Sequence, residues 1–151
     1  MLIQENVKLD KLEEIFDGNN QGYIKDKKCI FDNNYLKVVA MENDIPLGYA
    51  VLYFQDDFIE KEGWVIDTKI VGDIVYVWNC ITKKGCENKG IQTSIFKYFT
   101  EQYKDRDIYS AVDYTNAPSM ALHKKMGFVH FEDFETHGNK MALLIKRKNG
   151  K

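Results

Sequence analysis

The sequence lacks most of the features that mark a secreted, membrane-spanning or disordered chain. It contains two prolines but twenty aromatic residues, a composition that excludes low complexity and disorder. No apolar run approaches the roughly 20 residues of a membrane-spanning helix, and the N-terminus lacks the basic start and apolar stretch of a secretory signal. The three cysteines form no CxxC pair. This odd, unpaired set is typical of a reduced protein, so we expect a cytoplasmic location.

A strong charge of either sign is also missing. The 21 basic and 23 acidic residues leave a formal net charge of −2, so we expect neither a nucleic acid nor a membrane as partner. The length of 151 residues suits one domain over 1–151, with enough apolar residues (44%) to fill a core. Composition alone therefore predicts a small α/β domain and says nothing of its function.

The hydrophobic pattern predicts strands in the first half and alternating strands and helices in the second. A helix is expected from about Asp10, which can cap it, and further helices from Gly90 and after Asn116. Strands are predicted at 2–4, 35–41, 47–55, 74–81, 107–112, 128–135 and 141–146, with a turn at 43–46. Residues 23–34 fit helix or loop, 56–63 a loop and 64–71 an irregular strand. This order predicts a mixed α/β sheet with one parallel crossover.

The segment 82–93 (TKKGCENKGIQT) joins a buried strand to a helix start and has the character of an anion site. A helix start offers unpaired amides and about half a positive charge, which attract phosphate. Gly90 lets a phosphate approach the backbone, Thr93 adds a hydroxyl, and lysines supply charge at Lys83, Lys84 and Lys89. An ordinary strand–loop–helix joint explains the same residues. The sequence has neither GxxxxGK[ST] nor GxGxxG, so it is neither a P-loop nor a Rossmann fingerprint.

A second segment, 116–128 (NAPSMALHKKMGF), makes a family resemblance clear. Together the two segments resemble the motifs of the GCN5-related N-acetyltransferase (GNAT) superfamily. The family loop, Q/R-x-x-G-x-G/A at the start of a helix, corresponds to ENKGIQ at 87–92. The family's Asn, small residue, aliphatic–aromatic pair and Gly-Phe correspond here to Asn116, Ser119, Leu122-His123 and Gly127-Phe128. The opening 1–15 and the strand entry at 46–49 also resemble the family.

The resemblance implies a single GNAT-like domain with a mixed, mostly antiparallel twisted sheet, a central parallel strand pair and flanking helices. The parallel strands would splay apart to admit acetyl-CoA. The pantetheine arm would pair with the backbone near 80–82, and the pyrophosphate would lie on the amides of 87–93. The implied cofactor-binding residues are Cys80, Ile81, Thr82, Glu87, Asn88, Lys89, Gly90, Ile91, Gln92, Thr93, Asn116, Ser119 and His123.

Three residues depart from the family pattern. Glu87 replaces the usual Arg or Gln, and a carboxylate repels a phosphate by about 1 kcal/mol at 4 Å in water. Gln92 replaces a second small residue, although its amide could donate to a phosphate. His123 replaces the Tyr that in many relatives protonates the departing thiolate. An imidazole with a pKa of about 6.5 can do the same, so His123 is the candidate general acid. A histidine that contacts only cofactor or solvent is the alternative, and Tyr114 is a second candidate donor.

Direct attack by an amine also requires removal of the ammonium proton. Glu60 and Asp73 are the candidate bases, with Glu62 and Asp67 as further carboxylates; a water relay or simple surface carboxylates fit equally well. A backbone amide near Ile81 would hold the oxyanion. The acidic loop, Asp56, Asp57, Glu60 and Glu62, together with Trp64, would suit a cationic acceptor. Cys80 could act as an acetyl-carrying nucleophile, but a buried strand residue is favoured.

A metal site is not expected. His123, His130 and His137 are spaced by seven, but they fall on a helix, a strand and a turn, which share no common geometry. The predicted cofactor is therefore acetyl-CoA alone.

The predicted function is an acetyl-CoA-dependent N-acetyltransferase that acts directly on a primary amine of a small molecule or protein. The alternative is a non-catalytic acyl-CoA-binding or regulatory domain of the same fold, favoured by the three departures. An interaction domain that has lost the cofactor is the third reading. The chain is expected to be a monomer or a homodimer, because the aromatic face of the helix from Gly90 could mark a dimer contact.

Overall fold

A computed structural model describes residues 1–19, 35–55, 74–136 and 138–148. The elements in these ranges are β1 (Leu2–Glu5), α1 (Leu9–Asn19), β2 (Tyr35–Glu42), β3 (Ile45–Gln55), β4 (Ile74–Thr82), α2 (Ile91–Gln102), β5 (Asp107–Asp113), α3 (Ala117–Lys125), β6 (Val129–Thr136) and β7 (Asn139–Lys146). The predictions for 23–34 and 56–71 fall outside them. Within the described ranges, no helix combines the length and apolar composition needed to cross a membrane.

The strands form a seven-stranded sheet in the order β1-β2-β3-β4-β5-β7-β6. The pairs β1–β2, β2–β3, β5–β7 and β6–β7 are antiparallel, whereas β4 and β5 run parallel. A crossover between parallel neighbours needs a long connection, and α2 lies in that connection. The predicted mixed, mostly antiparallel sheet with a central parallel pair is confirmed.

The chain divides into two compact units. One comprises Met1–Tyr53 with Trp78–Gln102, and the other Phe54–Val77 with Tyr103–Lys151. The prediction of one domain over 1–151 stays a prediction.

One hydrophobic cluster of the first unit lies between α1 and the strands. Leu12, Ile15 and Phe16 share one side of α1, as their spacing predicts, and each is at most 6% exposed. They pack with the buried strand side chains of Val39, Met41, Tyr49, Val51 and Ile81. Ile81 therefore anchors the end of β4 in this core, and the chain that follows β4 starts from a fixed point.

The β2–β3 hairpin is tighter than the sequence suggests. The predicted turn is 43–46, but Ile45 and Pro46 already belong to β3. The turn is confined to Asn43 and Asp44, whose φ angles are 52° and 64°. Asn and Asp tolerate this left-handed region, and two such residues match the twist of a hairpin. Ile45 and Pro46 pair with Glu42 and Met41, and the register of the hairpin shifts between Ala40 and Met41.

The second unit carries the parallel pairing and α3. Residues Ile74–Val77 of β4 pair with Asp107–Ser110 of β5, and both strands continue beyond the paired residues. Helix α3 begins after Asn116, whose side chain accepts a hydrogen bond from the Ser119 amide at 3.3 Å. This is the predicted N-cap.

Candidate active site

The loop between β4 and α2 is held to the strand β3 by its backbone. The Lys83 amide donates to the Leu47 carbonyl at 2.8 Å, and the Cys86 amide donates to the Lys83 carbonyl at 2.9 Å. Gly85, Asn88 and Gly90 have φ angles of 93°, 63° and 77°. A left-handed residue next to a right-handed one turns neighbouring amides toward one side of a loop, an arrangement that suits an anion.

The left-handed backbone conformation of Gly90 favours glycine there, whereas a side chain would not be crowded. A Cβ built on it would meet no atom within 4 Å, so the residue before α2 is open. The Ser94 amide donates to the Gly90 carbonyl at 3.0 Å, which makes Gly90 the N-cap of α2. The amides of Ile91, Gln92 and Thr93 belong to the first turn and lack partners within the helix. The loop lysines Lys83, Lys84 and Lys89 are exposed.

Glu87 turns its carboxylate back onto its own loop. Its Oε1 accepts a hydrogen bond from the Gly85 amide at 2.7 Å, and the residue is exposed. The carboxylate therefore holds an amide of the same loop, two residues before the 87–93 amides that the resemblance assigns to the pyrophosphate.

Gln92 directs its side chain inward. Its Nε2 donates to the Tyr49 carbonyl of β3 at 3.3 Å, and its Oε1 is buried without a hydrogen-bond partner. One N–H of the amide is thus committed to the β3 backbone. The expected contact of this amide with a phosphate stays a prediction.

Gly48 is a further residue of this region, and only the family-like strand entry at 46–49 points to it. A Cβ on Gly48 would lie 2.9 Å from Ile91 Cγ2, 3.2 Å from the Ile81 carbonyl oxygen and 3.3 Å from Thr82 Cα. A Cβ atom essentially never lies within 3.0 Å of such a neighbouring heavy atom. A side chain here would displace the end of β4 or the start of α2, so glycine sets how closely these elements approach β3.

Cys80 lies on β4 just before this region, and burial raises the pKa of its thiol to about 12. The thiol is therefore protonated near neutral pH, and a thiol is a much weaker nucleophile than a thiolate. This supports the interpretation of Cys80 as a strand residue. Cys80 and Cys86 are free, and Cys29 lies outside the described ranges.

His123 on α3 is 1% exposed, and both of its ring nitrogens are hydrogen-bonded inside the second unit. Its Nδ1 lies 2.7 Å from the Ser119 carbonyl oxygen, and its Nε2 lies 2.8 Å from Ser110 Oγ. A carbonyl only accepts, so Nδ1 carries the proton and Nε2 accepts from the Ser110 hydroxyl. The ring also meets the Phe128 ring edge-on at 4.9 Å.

Burial lowers the pKa of His123, and the hydrogen bond to Ser119 only partly opposes this effect. The imidazole is therefore neutral near pH 7, and both nitrogens are occupied within the protein. Its role as general acid stays a prediction. The buried position differs from the alternative offered by the sequence, a partly exposed histidine that contacts only cofactor or solvent.

Tyr114, the second candidate donor, is 40% exposed and follows β5. Its hydroxyl donates to Asp133 Oδ1 at 2.5 Å, and this hydrogen bond raises the pKa of the phenol. His130 Nε2 lies 2.7 Å from the same carboxylate oxygen. The phenolic proton is therefore already shared with Asp133, so Tyr114 must leave this bond before it can donate to a thiolate.

The predicted bases and acceptor loop lie outside the described residues, namely Asp56, Asp57, Glu60, Glu62, Trp64, Asp67 and Asp73. In the part of the chain that is described, no three His, Cys, Asp or Glu side chains come together in a way that could hold a metal ion. His137 is also outside that part.

Comparison with known proteins identifies a family for this geometry. The family model described as "Acetyltransferase (GNAT) family" matches residues 4–128. No curated protein matches the sequence.

Solved structures of acetyltransferases match nearly the whole chain. NAA60 from Arabidopsis thaliana, in complex with acetyl-CoA, superposes with a TM-score of 0.71 at 15% identity, over 97% of this chain and 99% of that one. The ribosomal-protein-S18-alanine N-acetyltransferase from Escherichia coli superposes with a TM-score of 0.68 at 14% identity, over 95% of this chain and 92% of that one. A GNAT-family acetyltransferase from Streptococcus agalactiae superposes with a TM-score of 0.73 at 12% identity, over 97% of this chain and 96% of that one. At these identities the likeness is one of fold.

Proposed function

Because the chain belongs to the GNAT acetyltransferase family, we propose that it transfers the acetyl group of acetyl-CoA directly to a primary amine of a small molecule or protein. The observation that carries this proposal is the loop after β4, where left-handed residues at Gly85, Asn88 and Gly90 lead into the open first turn of α2. An amide-rich helix start with exposed lysines suits a pyrophosphate.

In this proposal the amides of 87–93 hold the pyrophosphate, and Lys89 adds charge from an exposed position. The backbone of Cys80, Ile81 and Thr82 pairs with the pantetheine arm. The side chain of Ile81 is buried in the core of the first unit, so it contributes through its backbone alone. Asn116 and Ser119 are proposed to contact the cofactor from the start of α3, where the Asn116 side chain accepts from the Ser119 amide.

The transfer requires a bond from the amine nitrogen to the acetyl carbon and loss of the carbon–sulfur bond. The ammonium proton goes to a base or to water, with Glu60 and Asp73 as the proposed groups, and the thiolate takes up a proton afterwards. A thiol has a pKa of about 8.5, so its thiolate leaves without much assistance. In the structure the His123 imidazole ties α3 to Ser110 of β5, and His123 stays the proposed general acid.

The test is a panel of amines incubated with acetyl-CoA, with free thiol release and mass gain of the amine as readouts. We expect at least one primary amine to be acetylated at a rate that follows enzyme concentration. Calorimetric titration that shows no binding of millimolar acetyl-CoA would contradict the proposal.

The second candidate is a non-catalytic acyl-CoA-binding or regulatory domain. The carboxylate of Glu87 on a loop amide and the occupied nitrogens of His123 favour it. Cofactor binding without acetylation of any amine in the panel, whether small or peptidic, would support this second candidate. The single domain, the cytoplasmic location and the monomeric or homodimeric state stay predictions.

A further inference from the structure

Glu87 stands at the position where the loop has a neutral or basic residue in the family pattern, and its carboxylate is bonded to the loop itself. We propose that Glu87 acts as an internal competitor for the phosphates of acetyl-CoA and sets the affinity of the chain for its cofactor. This inference rests on the proposed function, because it concerns the cofactor loop of that site.

The competition has two parts that act in the same direction. A phosphate that uses the Gly85 amide must first displace Glu87 Oε1, which lies 2.7 Å from that nitrogen. A phosphate that binds further along, at the first turn of α2, still meets the negative charge of a residue four positions before Ile91. Each part weakens phosphate binding, and neither affects the part of the cofactor that carries no phosphate.

The charges of the loop make the effect measurable. Lys83, Lys84 and Lys89 are exposed and give three positive charges, against the one negative charge of Glu87. Neutralising Glu87 therefore raises the loop from +2 to +3 without altering a lysine. A unit charge about 4 Å from a phosphate in water corresponds to about a 5-fold change in Kd. Screening by salt reduces this factor, because the residue is exposed.

Two substitutions separate the charge from the hydrogen bond. Glu87→Gln keeps an oxygen that can accept from the Gly85 amide and removes the charge, whereas Glu87→Ala removes both. Glu14→Gln is the matched control, because it removes one negative charge from an exposed residue of α1.

The experiment titrates acetyl-CoA into the wild type and the three variants by calorimetry at low and high salt. We expect Glu87→Gln to lower Kd about 5-fold at low salt and by a smaller factor at high salt. Glu14→Gln is expected to have the Kd of the wild type. The ratio of kcat/KM for acetyl-CoA to that for S-acetylpantetheine, which lacks the nucleotide phosphates, should rise in Glu87→Gln. An unchanged or higher Kd in Glu87→Gln overturns the proposal.

A measurement without any cofactor tests the contact itself. The Gly85 amide proton should resonate downfield in the wild type and move upfield in Glu87→Ala, while Glu14→Gln leaves it in place. An unmoved Gly85 resonance in Glu87→Ala overturns the proposal, because the carboxylate would not hold that amide. Failure of the proposed function is a different result, in which neither the wild type nor Glu87→Gln binds acetyl-CoA although the Gly85 resonance responds.

Discussion

At the scale of single residues, the His123 imidazole shows that a candidate catalytic group can be buried and hydrogen-bonded within the protein. The sequence places it correctly on α3 but does not report its environment. Ser110, 13 positions earlier on β5, supplies the hydroxyl that occupies Nε2, and the Ser119 carbonyl occupies Nδ1. A pairing between a strand and a helix depends on tertiary packing, so no local pattern could predict it.

The lowered pKa of His123 gives a prediction for stability. The unfolded chain binds a proton at this residue below pH of about 6.5, while the folded chain resists protonation until a lower pH. The unfolded state therefore binds more protons in this window, and the free energy of unfolding falls as the pH falls, by at most about 1.4 kcal/mol per pH unit. We expect the free energy of unfolding of His123→Gln, measured with urea, to fall less steeply with falling pH below a pH of about 6.5.

His130→Gln is the control for this slope, because it removes an exposed imidazole that is bonded to Asp133. We expect His130→Gln to retain the fall in the free energy of unfolding that is assigned to His123. Equal slopes for wild type and His123→Gln would contradict the prediction.

At the scale of secondary structure elements, one glycine decides how β3, β4 and α2 fit together. Gly48→Ala would force a Cβ against Ile91 at 2.9 Å, and we expect it to destabilise the fold by about 1–3 kcal/mol. The same change at Gly18, in α1, meets no atom within 4 Å and should stabilise by about 0.5–1 kcal/mol. Denaturant unfolding of both variants measures the change in the free energy of unfolding, which should fall in Gly48→Ala and rise in Gly18→Ala. A neutral Gly48→Ala would show that the start of α2 shifts freely.

The elements also show what the sequence can and cannot predict. Periodicity and caps are local signals, and they placed both ends of β4 and β5 and the starts of α2 and α3 within one residue. The turn at Asn43 and Asp44 was predicted too long, because its residues take an uncommon backbone conformation that lets Pro46 enter β3. The inward turn of Gln92 and the closeness of Gly48 depend on packing between elements, which spacing along the chain does not encode.

At the scale of the whole molecule, ligand binding to the folded chain alone should raise its stability. At acetyl-CoA 100-fold above its Kd, the gain is about 2.7 kcal/mol, which corresponds to an increase in Tm of about 5–10 °C for a chain of this size. Thermal denaturation with acetyl-CoA measures the shift. S-Acetylpantetheine at the same concentration is the control and should give a smaller shift, because it makes no phosphate contacts. An unchanged Tm at saturating acetyl-CoA would contradict the assignment of the cofactor.

The aromatic residues of the first unit offer a way to observe the molecule optically. The Tyr35 and Tyr53 rings stack at 4.7 Å, and the Trp78 ring meets them edge-on at 5.4 and 6.5 Å. Excitation energy absorbed by the two tyrosines can transfer to the Trp78 indole at these distances. The chain has two tryptophans, so replacing Trp64 with Phe leaves Trp78 as the sole tryptophan emitter. Its fluorescence then reports on β4 two residues before Cys80, where the acetyl donor is proposed to bind.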